Sequence, residues 1–75
     1  MKILAFGKIA DVLRQPALDF SGPKTVAELR ERLETEYPDL KSLRYLIAVN
    51  KQIADEHATL AENAEVALLP PFSGG

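Results

Sequence analysis

Apolar residues come in short runs at the two ends of this chain and at helical spacing in its middle. Ile3-Leu4-Ala5-Phe6 is an unbroken apolar run inside Met1–Lys8, which reads as a first strand covered at least partly on both faces and ended by Gly7. Ile9, Val12 and Leu13 fit one short helical turn closed by Pro16. Ala17-Leu18-Asp19-Phe20 alternates in character and predicts a second strand, the hairpin partner of the first, before a Ser21-Gly22-Pro23 turn. Thr25 and Glu28 then form a capping-box signature, and Val26, Leu29, Leu33 and Tyr37 recur as one buried helical stripe that Pro38 ends. Glu28 with Arg32, and Arg30 with Glu34, stand four residues apart as pairs on the solvent side.

Leu40 and Leu43 tuck a loop under the core, and Tyr45–Val49 is the third strand. Asn50-Lys51 turns it into a brief fourth strand, Gln52-Ile53-Ala54, because asparagine tolerates the positive φ that tight hairpins need. Asp55–Ala61 is connecting chain, with His57 a surface loop residue, and Glu62–Glu65 turns into a last strand, Glu65–Leu69. The class is α+β: a mixed sheet of about five strands with one main helix on one face. One helix leaves the other face uncovered. If Ile3, Ala5, Val66 and Leu68 face the helix, Phe6 and Leu69 point the opposite way. Together with Ile53 they would form an apolar partner interface, or else pack under loops.

The last six residues, Pro70-Pro71-Phe72-Ser73-Gly74-Gly75, separate from the domain at 1–69 as a flexible extended tail. Its root is stiffened by two prolines, which cannot donate to a sheet ladder and hold the residues before them extended. As a polyproline rod the segment would reach about 18 Å past the last strand. Gly74 and Gly75 carry no Cβ, so they could thread a narrow passage and present a bare carboxylate. A frayed end is the plainer reading of such a composition.

Composition narrows the chemistry. At 75 residues the chain is one small domain. It has no cysteine and a single histidine, which excludes disulfides, thiolate chemistry and a His-based metal cluster. Lys and Arg number 9 against 11 Asp and Glu, without a basic stripe, so no nucleic-acid partner is expected. No apolar run approaches the roughly 20 residues of a membrane span, and a cytoplasmic location is expected.

Strand order and motifs carry a resemblance. Leu46-Ile47-Ala48-Val49-Asn50, followed by Val66-Ala67-Leu68-Leu69 and the terminal Pro-Pro-x-x-Gly-Gly, resembles the small subunits of molybdopterin synthase, in the ubiquitin-like β-grasp family. The turn Glu62-Asn63-Ala64 stands where such proteins usually have Asp-Gly-Asp, and Asn63 is expected to take the left-handed conformation of that glycine. The segment Lys8–Arg14 lacks the family's arginine pattern.

The resemblance implies that an ATP-using partner adenylates Gly75 and that a sulfur donor converts it to a thiocarboxylate. Sulfur then passes to cyclic pyranopterin monophosphate in the synthase large subunit, within a heterotetramer of two small and two large subunits. No permanently bound cofactor or metal is implied. Phe72, Ser73 and Gly74, with Pro70 and Pro71, would form the stretch that threads the partner's passage, the prolines as its rod, Phe72 as an anchor and Gly74 as its slim part. A thiazole-synthesis sulfur carrier, a ubiquitin-like modifier and a plain β-grasp binding module are the alternatives.

Overall fold

In the computed structural model, which describes residues 1–71, the amino-terminal apolar run becomes β1 (Lys2–Ala5), next to the centre of a five-stranded sheet. The other strands are β2 (Ala17–Asp19), β3 (Leu46–Val49), β4 (Gln52–Ile53) and β5 (Glu65–Leu69), in the order β2-β1-β5-β3-β4. β1 and β5 are parallel, and every other neighbouring pair is antiparallel. The sheet is mixed and open, as the sequence predicts. The proline-rooted tail beyond Pro71, with its expected flexibility, lies outside the described residues.

α2 (Val26–Glu36) crosses one face because Val26, Leu29 and Leu33 present one stripe to it. These side chains meet Ile3 and Ala5 of β1, Val66 and Leu68 of β5 and Ile47 of β3, all buried. Each fully buried aliphatic contributes about 1.5–3 kcal/mol relative to an exposed one. Leu40, in a 3-10 helix over Pro38–Ser42, closes the core where α2 ends.

Several local expectations change. β1 stops at Ala5 rather than Lys8, because Gly7 at φ 59° turns the chain into α1 (Gly7–Leu13). α1 is about two turns long, not one. It buries Ile9 and Leu13 and is stopped by Arg14, left-handed at φ 63°, before Pro16 is reached. The Thr25 cap forms, its Oγ1 accepting the Glu28 N–H at 3.2 Å. The reciprocal bond lands one residue further back: Glu28 Oε1 accepts the Lys24 N–H at 3.0 Å. Segment 55–61 is more than connecting chain. The carbonyls of Ala58 and Glu56 accept the N–H groups of Val26 and Ala27, each at 3.0 Å, so a loop satisfies donors that the helix start leaves open.

The expected i,i+4 ion pairs on α2 are not formed among the described residues. Arg32 lies 5.2 Å from the centroid of the Phe20 ring, and Arg30 lies 4.8 Å from that of Tyr45. Rings beside the helix offer cation–π contacts that compete with exposed pairs worth only a few tenths of a kcal/mol. Arg30 Nε sits 3.4 Å from Glu56 Oε1, close enough for an ion pair but without hydrogen-bond geometry.

Glu34 instead accepts the Tyr45 hydroxyl at 2.7 Å. Burial raises the Tyr45 pKa well above its ordinary value, helped by the hydrogen bond to Glu34 and that carboxylate's charge and opposed by Arg30. An unfolded chain therefore releases this proton first, near pH 10. The stabilisation is complete below about pH 10 and is lost as pH climbs toward the folded value. Tyr45→Phe should flatten the alkaline fall in stability, read from urea unfolding at pH 8 and pH 11. Equal falls in both proteins would remove Tyr45 from the effect.

The β3–β4 turn places both Asn50 (φ 50°) and Lys51 (φ 72°) in left-handed geometry. Asn50 also ties this hairpin to the start of β5. Its N–H donates to the Glu65 carbonyl at 2.8 Å, and its Oδ1 accepts the Glu65 N–H at 3.1 Å. Asn63 does not take positive φ: the turn closes with the Ala64 N–H on the Ala61 carbonyl at 3.0 Å, in ordinary backbone regions.

Candidate functional site

Alternation along each strand places the residues that α2 does not bury on the opposite, open face. The register arranges them in three lines. Asp19, Lys2 and Glu65 form the first, alternating in charge. Ala17, Leu4, Ala67, Ala48 and Ile53 form the second, wholly apolar. Leu69 and Leu46 form the third, with Phe6 following β1 at the same end. The charged line lies at the end where β1 and β5 begin, and the third line lies where β5 gives way to Pro70.

The parity read from sequence holds: Ile3, Ala5, Val66 and Leu68 are buried, while Phe6 and Ile53 are 47% and 61% exposed. Leu69 is half-buried beside Leu46, which is 40% exposed. The structure thus gathers Phe6, Ile53 and Leu69 on one face. Pro70 is half-buried and Pro71 exposed at the root of the tail, while Phe72, Ser73, Gly74 and Gly75 lie outside the described residues. Sequence reading missed Leu46, Leu4, Ala48 and Ala67. The alternation Leu46-Ile47-Ala48 carried the signal, since burial of Ile47 sends both its neighbours outward.

Such a face suits a macromolecular partner rather than a substrate. A cavity of about 750 Å³ lies elsewhere, between Met1, Pro23, Lys24, Leu60 and Glu62 at the opposite end of β1. It is remote from the tail root. Among the described residues no group of three or more His, Cys, Asp or Glu side chains could hold a metal ion. Among them, too, no helix is long and apolar enough to cross a membrane.

The model of the ThiS family matches residues 3–75, nearly the whole chain and through both terminal glycines. The chain belongs to the ThiS family. Among its relatives in that setting, the molybdopterin synthase sulfur carrier subunit of Caenorhabditis elegans is 30% identical, covering 100% of this chain and 96% of the relative. The protein of the same name from Dictyostelium discoideum is 32% identical, covering 99% and 94%.

Solved structures agree on the architecture. SAMP1 from Haloferax volcanii superposes with a TM-score of 0.78 at 26% identity, covering 100% of this chain and 98% of that one. A chain in the complex of subunits 1 and 2 of molybdopterin-converting factor from Helicobacter pylori gives 0.71 at 28% identity, covering 99% and 96%. The fold of this ThiS-family chain is therefore the ubiquitin-like β-grasp anticipated from its strand order.

Proposed function

We propose that this chain is the sulfur carrier subunit of a molybdopterin synthase, delivering sulfur on the carboxyl group of Gly75. The observation that carries this is the joining of two features: an apolar open face, and a strand on that face running directly into the proline-rooted Gly-Gly segment. Curated relatives of that name over the full chain support the reading.

A free terminal carboxyl has a pKa of about 3.3–3.7, so at neutral pH it is an anion and a poor electrophile. Activation must come first. The carboxylate oxygen attacks the α-phosphate of ATP held by a partner enzyme, and pyrophosphate leaves. Sulfide released by a sulfur donor then attacks the acyl carbon of the mixed anhydride, AMP leaves, the sulfur loses its proton, and Gly75 ends in a thiocarboxylate. This sulfur is the nucleophile passed to cyclic pyranopterin monophosphate inside the large subunit. The carrier supplies reach, slimness and the sulfur itself. It has little activity alone and acts in the cytoplasm, in a heterotetramer of two small and two large subunits.

The open face docks the large subunit while the tail enters its pocket. Replacing Phe6 or Leu69 by Asp buries an unpaired carboxylate at that contact and should weaken large-subunit binding by roughly tenfold or more. The melting temperature should change little, because neither side chain belongs to the buried core. Calorimetric titration against the large subunit reads this, and unchanged affinity would take these residues out of the interface.

The likeness to SAMP1, a small archaeal modifier protein, favours a second reading in which Gly75 is joined to lysines of other proteins. Thiol-resistant ladders on a denaturing gel would distinguish it.

A further inference from the structure

Arg44 lies two residues before β3 and is exposed. Its neighbours fix which way it points. Tyr45 and Ile47 are buried under α2, so Arg44 shares the open face with Leu46. Leu46 stands opposite Leu69, and two further steps of that antiparallel register bring Arg44 opposite Pro71, at the root of the tail. The ladder itself stops short of this pair, because Pro71 has no N–H to donate. Arg30 and Arg32 lie over aromatic rings, and Arg30 also faces Glu56. Among the described residues Arg44 has neither a ring nor a carboxylate for a partner. The carboxylate of Glu34 is engaged by the Tyr45 hydroxyl on the helix side of the sheet. Of the two acidic side chains that the strands present on the open face, Asp19 and Glu65, Glu65 shares β5 with the tail root. It precedes Pro71 by six residues, about 20 Å at roughly 3.3 Å per residue. That is well beyond the ~10 Å over which charges act at 0.1 M salt. Arg44 therefore leaves a local positive charge at the tail root of a chain whose formal net charge is −2.

Resting on the sulfur-carrier reading, we infer that Arg44 is a specificity-determining residue for activation: its guanidinium pairs with a carboxylate that the ATP-using enzyme holds beside the entrance for the tail. A planar guanidinium binds a carboxylate through two parallel hydrogen bonds, which fixes orientation as well as position. An acidic entrance repels the rest of this chain and attracts it only at Arg44, so the carrier arrives tail first. Two proteins take up the tail, and charge separates them. An exposed charge at the edge of an interface governs the rate of encounter and its salt dependence more than the strength of the settled complex. The activating enzyme captures and releases a carrier in every cycle, so its efficiency depends on encounter. The large subunit keeps the carrier in a lasting complex held by apolar contact. The pairing therefore belongs to the activating enzyme.

Steady-state adenylation of the full chain by the activating enzyme, followed as pyrophosphate release, tests this. Arg44→Glu should lower kcat/KM by roughly tenfold or more at low salt and leave kcat at saturation unchanged. The gap should close toward 1 M salt, where charges act over only about 3 Å. Arg44→Lys, which keeps the charge, should recover most of the loss, and affinity for the large subunit should change by less than roughly threefold. Should Arg44→Glu disturb the fold, Arg44→Gln makes the same test. A kcat/KM equal to the parent's, a loss that salt does not diminish, or an equal loss of large-subunit affinity would overturn the assignment and leave the sulfur-carrier reading intact. A parent chain that the activating enzyme fails to adenylate would remove both.

Discussion

Deleting Gly75, or adding residues after it, should abolish sulfur transfer and leave the domain folded. The effect is expected to be close to complete because the chemistry uses one atom position. An added residue moves the carboxyl group on by about 3.3–3.6 Å, out of any site built to hold the acyl adenylate, and puts a peptide bond where the activated carbonyl should be. Deletion shortens the reach by the same amount, and reacting atoms must approach to about 3–3.5 Å. The fold is untouched because its last strand ends at Leu69 and its core residues all precede it. Cofactor synthesis in a reconstituted system measures the loss, and circular dichroism measures the retained fold. A tailed variant that remained active without being clipped would contradict delivery by the carboxyl terminus.

Leu33→Ala should have the largest effect on stability. Leu33 is fully buried on α2, facing a sheet whose core is one layer deep. Truncating such a leucine costs about 2–5 kcal/mol, as lost transfer energy plus a residual cavity. At about 0.05–0.15 kcal/mol per residue, the whole domain holds roughly 4–11 kcal/mol. The variant should therefore lose a large share of the domain's stability, with its urea midpoint lowered by roughly a fifth or more. A loss below about 1 kcal/mol would mean that the helix–sheet contact is not what stabilises the domain.

Much of this architecture was legible because it rests on period and punctuation. Val26, Leu29 and Leu33 fixed the buried side of α2, and the alternation through Val66 and Leu68 fixed the parity of β5 and so the exposure of Phe6. Local backbone chemistry was read less well where one residue chose between two uses. Gly7 looked like a strand end and serves as the first residue of a helix. Arg14 takes a left-handed conformation that arginine rarely adopts, so nothing in its identity announced the end of α1.

Partners on other elements were invisible from spacing. Arg30 and Arg32 had acidic neighbours one turn away, but Tyr45 and Phe20, brought in by tertiary packing, took them instead. Leu46 and Ala48 escaped notice as site residues for a related reason. A leucine and an alanine inside an apolar strand read as core, and only the register with Ile53 and Leu69 shows them facing out.

The central claim, that sulfur travels on Gly75, is tested most directly by the intact mass of the chain purified from its native cell under conditions that preserve thiocarboxylates. The expected result is a species heavier by one exchange of oxygen for sulfur, with the change confined to the terminal glycine on fragmentation and absent when Gly75 is deleted. A chain that stays unmodified, and that a matched activating enzyme fails to adenylate in vitro, would contradict the account.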